Sequence, residues 1–595
     1  MRATLLGFFG FLGLLVGCED EGGTVPIGGS GAGGSETPTA GGGGENGSGG
    51  TNQGGAGGET PGLPCGEGQI EGDCDCGGAS FATGSCCSEQ WFDPYYATLI
   101  DGCPDPSAFR YVDPTHTAAS DEGPGTAEAP WATIEHGVAT AAAGQVLIVR
   151  EGTYQVAGTG IRYLPALNPQ SGTAGAPVII KADGDVVIEP APVAQGTAQG
   201  GSPQTIVLAE SEPGADNFFV NHHVRITAGT GAGQARQILR DVENLSAISY
   251  EGATKTVWVT LNPDGMGNWE TAPDATSQYE LVRNGPLIGT STRAHVVWDG
   301  FHVRERNSYG PDTGPVVIWD SENVVLLNND VESNVEHLYD NHNIVRVEGS
   351  TASVIRNNHL HGLGMPVDAG PNNPQNHAAI MIYGSHDLVI EHNEIADAYA
   401  GIFPKGADGT GHTIRFNVIH GCAKAMRFSF HADLRVHQNA VYDCESAFQF
   451  AENISNVAVF NNVVHGGAMG LNNWFPIAGA SAFNNVFYDV DAPAYFEGGV
   501  GTLASNRNLF FGFTSFAPGD TLSGWQALGY DADSMSADPL FVDASGHDYH
   551  VDAGSPALGA GRDDADIDAD GDTGETIPAG AYVTGDEIVG RFAEP

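Results

Sequence analysis

The strongest constraint on this chain is a spacing. From Trp298 onward, a short pattern with Asn in second place and an apolar residue in fourth recurs. It reads NNDV (328–331), NNHL (357–360), HNEI (392–395), FNVI (416–419), QNAV (438–441), NNVV (461–464), NNVF (484–487) and RNLF (507–510). The Asn residues 329, 358, 393, 417, 439, 462, 485 and 508 are separated by 29, 35, 24, 22, 23, 23 and 23 residues. A unit this short cannot bury a core alone, so its copies must stack into a solenoid. Helical repeats need a 3.6-residue apolar rhythm and fewer Asn and Gly. The pieces VLIV, VVIE, VVIW, LVIE and VAVF are instead short β-branched strands. One coil per repeat, with an Asn amide ladder at a fixed turn, predicts an all-β, right-handed parallel β-helix of about 22–24 residues per coil. The longer intervals predict loops, notably 362–375.

The same register places two cysteines. Cys422 and Cys444 each stand five residues past a ladder Asn, so they share a column on adjacent rungs, ~4.8 Å apart. That distance allows a disulfide or an unbonded stack in the core. Residues 216–284 break the coil rhythm and predict an inserted β subdomain. Its Gly-x-Gly-x-Gly run lacks a P-loop Lys and a Rossmann context, so it reads as a hairpin turn.

The N-terminal end carries a resemblance. Arg2, the apolar run Leu5 to Val16 and the ending Leu15-Val16-Gly17-Cys18 resemble a bacterial lipoprotein signal peptide over 1–18. The resemblance implies lipidation of Cys18, export, and an anchor at the cell envelope or surface. Residues 19–63 are Gly, Ser, Thr, Asn and Pro with little to bury, which predicts a disordered tether. Residues 64–108 hold Cys65, Cys74, Cys76, Cys86, Cys87 and Cys103, which in an exported chain predicts a small disulfide module of undetermined pairing.

A second resemblance lies at the start of the coil, expected over 109–560. Pro130-Trp131-Ala132-Thr133-Ile134 and Glu151-Gly152-Thr153-Tyr154 resemble the opening of bacterial β-helix carbohydrate proteins of the pectin-lyase-like fold. There, a PW-x-TI segment opens a capping helix and the first rung ends in GTY. DPLF (538–541) and AGSPALGAG (553–561) resemble their closing segment, leaving 561–595 as an acidic C-terminal cap.

Charge narrows the partners. With 23 basic and 73 acidic residues, the formal charge is −50. That excludes nucleic acid, whose binding rests on Lys and Arg, and docking on anionic lipid by charge. The expected partner is a polysaccharide, acidic in the sharper reading, bound by a monomer that meets membrane only through its lipid. Basic residues nevertheless gather at Lys405, Arg415, Lys424, Arg427 and Arg435. Aligning 379–383, 401–405 and 425–429 by alternation turns Tyr383, Lys405 and Ser429 outward in one column, and Met381, Phe403 and Arg427 in the next. Arg346 and Glu348 extend both columns.

That strip suits β-elimination on a uronic-acid polymer. A cation on the sugar carboxylate stabilises the enolate-like transition state, and a base removes the C5 proton. Lys405 would be the base, Arg427 and Arg346 the cations that also lower its pKa, and Tyr383 the acid for the leaving oxygen. Glu348, His377 and Ser429 would bind substrate. GIFPKG (401–406) and AMRFSFH (425–431) are similar to the chondroitinase B and alginate lyase group, where a Lys base and an Arg occupy successive rungs. Here Arg427 lies two residues before the family position, which is Ser429, and Ala398 and Ala400 replace the family's calcium ligands. An epimerase would use the same groups.

Structural readings stand beside these. Lys405 would be a loop-edge lysine paired with Asp408, Arg346 would pair with Glu348, and His342 and His377 would be stacked turn residues. Glu391, Glu394 and Asp397 would be solvated. The protein would then be a non-catalytic glycan-binding or adhesive β-helix. Asp566, Asp568, Asp570 and Asp572 resemble the start of an EF-hand-like loop, which implies Ca²⁺, although Ile577 replaces its Glu.

Overall fold

The computed structural model describes residues 94–592 apart from 101–105, 239–247, 260–267, 306–313, 334–340, 364–375, 407–408, 474, 497–498, 565 and 569–570, plus strand fragments Asp75–Cys76 and Ala79–Ser80. The expectations for Cys18, Cys65, Cys74, Cys86, Cys87, Cys103, the Cys76 side chain, Asp408 and Asp570 lie outside the described residues.

The chain forms the expected right-handed parallel β-helix. Among the described residues, nine strands stack in parallel as one sheet, among them Asn343–Glu348, Ala378–Tyr383, Ala400–Lys405, Lys424–Phe428 and Ser446–Phe450. Two further ladders complete each coil. One runs through Ala294–Asp299, Glu322–Leu327, Val354–Arg356 and Val389–Glu391, the other through His302–Arg304, Asp330–Glu332, His359–His361 and Glu394–Ala396. Alternate residues face the axis. Val345 and Val347 pair with Ile380 and Ile382, which pair with Ile402 and Pro404. All are buried, and the stacked apolar columns make one continuous core.

The asparagine ladder holds the turn between those two ladders. From Asn329 through Asn508, each Asn donates its backbone N–H and a side-chain N–H to the side-chain oxygen of the next, at 2.9–3.1 Å. Phe301 precedes the ladder and the Ser534 hydroxyl ends it. The residue before each ladder Asn has φ of 51–58°. This left-handed bend suits Asn and is tolerated here by His392, Phe416, Gln438 and Arg507 because the amide ladder over-determines it.

Both ends are closed by short helices. Thr133 caps Ile134–Thr140 by accepting the His136 N–H, and Ile134 and Val138 plug the first coil. At the other end, Trp525 of Leu522–Ala527 is fully buried and donates to Asp531 at 2.6 Å. The acidic tail is therefore not an end cap. It runs back along the asparagine turn, joining Arg562 to Asn484, Pro578 to Asn461, Glu587 to Gln438, Gly590 to Phe416 and Phe592 to Asn357. The left-handed bend leaves polar groups at those positions facing outward, and the tail supplies their partners.

Two other expectations are refined. The insertion spans Pro192 to Arg283, wider than 216–284, because strands Pro192–Thr197, Gly200–Ser202 and Thr205–Val207 join its two antiparallel sheets. Phe219, Val224, Tyr250, Trp269 and Leu281 give it a separate core. The glycine run is the turn between the antiparallel strands His222–Ala228 and Ala235–Ile238, with positive φ at Gly229, Gly231 and Gly233. Cys422 and Cys444 form a disulfide, with Cα atoms 4.6 Å apart.

Candidate functional site

Strand register assembles the strip on the outer face of the nine-stranded sheet. Glu348 pairs with Tyr383 and Tyr383 with Lys405, while Arg346 pairs with Met381 and Met381 with Phe403. The Ile402–Met426 pair then sets Arg427 beside Phe403. The Arg346 guanidinium donates to Glu348 at 2.7 and 2.8 Å and to Asn343 at 3.3 Å, and lies 4.5 Å over the Tyr383 ring. The Tyr383 hydroxyl donates to Asn341 at 3.2 Å, and the Lys405 ammonium donates to Asn376. Lys405 Nζ is 5.8 Å from the Tyr383 ring centre. Arg427 lies 4.5 Å over Phe403.

Facing outward does not mean exposed here. Arg346 is 4% exposed and Arg427 7%, while Met381 and Phe403 are sealed in a small apolar cluster with Ala378 and Ala400. Burial lowers the Arg427 pKa, against the pull of Tyr399 and Glu452. Lys424 on the same strand is lowered chiefly by burial, with Arg427 adding to it against Glu445. Tyr383, Lys405 and Glu348 remain partly exposed, so the open edge of the strip is theirs.

Two expected substrate contacts are corrected. Ser429 is buried because its N–H is tied to the Pro404 carbonyl at the strand end. His377 is fully buried, with its Nδ1 accepting the His342 N–H at 3.3 Å. His342 in turn belongs to a sealed group with Glu305 and Ser333 that the sequence reading missed. His342 Nε2 meets Glu305 Oε2 at 3.0 Å and Ser333 Oγ at 3.3 Å, and Ser333 Oγ donates to Glu305 at 2.6 Å. A nucleophilic relay needs a different ring nitrogen for each partner. Here one nitrogen serves both, so the group is a structural knot.

A second histidine pair braces Lys405. The Leu388 N–H donates to His412 Nδ1 at 3.2 Å, His412 Nε2 donates to His431 Nδ1 at 3.0 Å, and His431 Nε2 donates to the Lys405 carbonyl at 3.1 Å. An amide at one end and a carbonyl at the other fix the direction, so both rings are neutral. Burial lowers His412 to about 3 and His431 to about 4. A side chain at Gly409 would come within 2.0 Å of the His431 ring, so only glycine fits there.

The basic cluster is divided between faces. Arg415 and Arg435 belong to a different ladder from Lys405, Lys424 and Arg427. They line a cleft of about 400 Å³ with Phe416, His437, Phe460 and Glu587. Glu391 is not solvated. It is buried between Arg356 and Arg415, which hold its carboxyl below the usual range although burial opposes them. Asp566 spends an oxygen on the Gly571 N–H at 3.0 Å, whereas Asp568 converges with Asp563 and Glu575.

The asparagines that orient Tyr383 and Lys405 were missed by sequence reading. Asn376 is one residue before His377 and Asn341 one before His342, so equal offsets from the following strands were the available signal.

Residues 343–510 match the family described as right handed beta helix region. Among curated proteins, no match is found. Solved structures similar to this chain include a complex of XylC with xylose, at 14% identity over 72% of this chain and 86% of that one, with a TM-score of 0.44. Pectate lyase Pel9A is similar at 12% identity over 80% and 96%, with a TM-score of 0.41. A glycoside hydrolase is similar at 12% identity over 71% and 99%, with a TM-score of 0.34.

Proposed function

We propose that this right-handed parallel β-helix acts on an acidic extracellular polysaccharide, cleaving at uronic-acid residues by β-elimination. The observation that carries the reading is the shared column of Tyr383 and Lys405, with Arg346 and Arg427 one column behind. Lys405 in its neutral form takes the C5 proton. The buried guanidiniums raise the positive potential where charge develops on the sugar carboxylate, in surroundings drier than water. The Tyr383 hydroxyl protonates the leaving oxygen. Asn376 and Asn341 orient the two groups.

In this reading the chain is exported, anchored through Cys18 and works as a monomer. Calcium on Asp563, Asp568 and Glu575 would support the tail. One observation favours a binding-only role. Arg346 is already paired with Glu348, so a substrate carboxylate must compete for it. The test is to incubate the folded chain with alginate, chondroitin and pectin and follow the unsaturated uronate by absorbance and NMR. A lyase yields C4–C5 unsaturation, an epimerase inverts C5 without chain scission, and a binding protein leaves the polymer unaltered.

A further inference from the structure

On the third ladder, three ligand-bearing side chains converge away from the strip. Strand His359–His361 turns both imidazoles outward, since its first and third residues share a face. Their rings stack with centres 4.1 Å apart at 17°. Asp330 pairs with His359 on the preceding rung, and its two oxygens reach His361 Nε2 at 2.8 Å and His359 Nδ1 at 3.6 Å. One ligand atom from each residue falls within 4.8 Å of the others. Glu394 pairs with His359 from the following rung, and Glu332 pairs with His361.

Asp330 faces both imidazoles, and the three side chains each bring one ligand atom within the spacing that a single ion needs. Two imidazoles and one carboxylate suit Zn²⁺ and similar borderline ions, whereas Ca²⁺ takes oxygen ligands.

Access supports the same conclusion. Further along this ladder, Ala440, Val463, Val486 and Leu509 are covered by Tyr549, Ala557, Ala579 and Ala581 of the C-terminal segment. Asp330, His359 and His361 lie before that cover, and their side chains are 25–37% exposed. Solvent can reach the fourth position.

We propose that Asp330, His359 and His361 form a binding site for a divalent transition-metal ion of the Zn²⁺ class, with water completing its coordination. The site is independent of the polysaccharide reading.

The test uses the full chain without an affinity tag, stripped with a chelator and titrated with Zn²⁺, Co²⁺ and Ca²⁺ by calorimetry, with bound metal counted by mass spectrometry. The expected result is one equivalent of Zn²⁺ that Ca²⁺ does not displace, and a Co²⁺ visible band. His359→Ala with His361→Ala loses that equivalent, and Asp330→Asn weakens it at least about ten-fold. The milder His361→Gln guards against misfolding and is expected to weaken binding likewise, while His550→Ala keeps it. No Zn²⁺ uptake by the unaltered chain, or an unchanged equivalent in the double variant or His361→Gln, would overturn the proposal.

Discussion

Tyr383 and Lys405 stand opposite each other on adjacent rungs, and each polar end is held by its own asparagine, Asn341 for the hydroxyl and Asn376 for the ammonium. Parallel pairing sets their backbones ~4.8 Å apart, and the asparagines aim the two functional ends. Both side chains are thus carried by coil strands, while the asparagines that aim them stand two residues before the strands Asn343–Glu348 and Ala378–Tyr383.

Tyr383→Phe separates the two duties of this ring. Phe retains the face that Arg346 covers at 4.5 Å but removes the hydroxyl. The melting temperature is expected to stay within about 2 °C, while elimination slows by about 10²–10⁴-fold, the usual contribution of a positioned proton donor. A variant as fast as the unaltered chain would remove Tyr383 from the mechanism.

Asn439 sits in the middle of the amide ladder. Its Nδ2 donates to Ile414, His437 and Asn462, and its Oδ1 accepts from the backbone and side chain of Asn417. Asn439→Ala leaves several buried groups unmatched and is expected to cost about 3–5 kcal/mol in denaturant unfolding. Asn439→Asp keeps the shape but loses the donors, and is expected to be no better at neutral pH. A cost below 1 kcal/mol for both would contradict the ladder's structural role.

Glu391 is the shared acceptor of Arg356 and Arg415. Glu391→Gln leaves the nearly buried Arg356 without its counter-charge, an expected loss of about 3–5 kcal/mol. Equal stability by urea titration would show that the network is dispensable.

Acid should unfold this protein early. Burial lowers His223 to about 3, His392 to about 4, His412 to about 3, His431 to about 4 and His437 to about 4, from an ordinary 6.5. Below 6.5 the unfolded chain binds protons that the folded chain resists, so stability falls as pH drops. Each histidine contributes full stability above about pH 6.5 and loses about 2–3 kcal/mol by pH 4.5. Thermal melts by circular dichroism should therefore drop steeply between pH 6 and 4.5. A flat profile would show that these rings are not buried and neutral.

The fold was legible because strand alternation is strict and the coil length settles to 22–24 residues from Asn393 onward. Adding five to a ladder Asn put Cys422 and Cys444 in one column, and the structure shows them bonded rather than merely stacked. Adding one and three would equally have found Asp330, His359 and His361, whose separation of one coil hides them from any linear motif. Alternation told outward from inward but not exposed from buried. Met381, Phe403 and Arg427 point away from the axis and are still buried, because this face carries a second apolar layer. The tail's course along the asparagine turn depends on long-range pairings such as Phe592 with Asn357, 235 residues apart, which no local pattern announces.

The central claim is that Lys405 removes a proton from a uronate. It is tested by the initial rate of unsaturated-uronate formation from alginate, chondroitin and pectin, measured side by side for the unaltered chain and Lys405→Ala. The account predicts product from at least one polymer and a loss of at least about 10²-fold in the variant. No product from any of the three contradicts the lyase reading, and product undiminished in Lys405→Ala contradicts the assignment of the base.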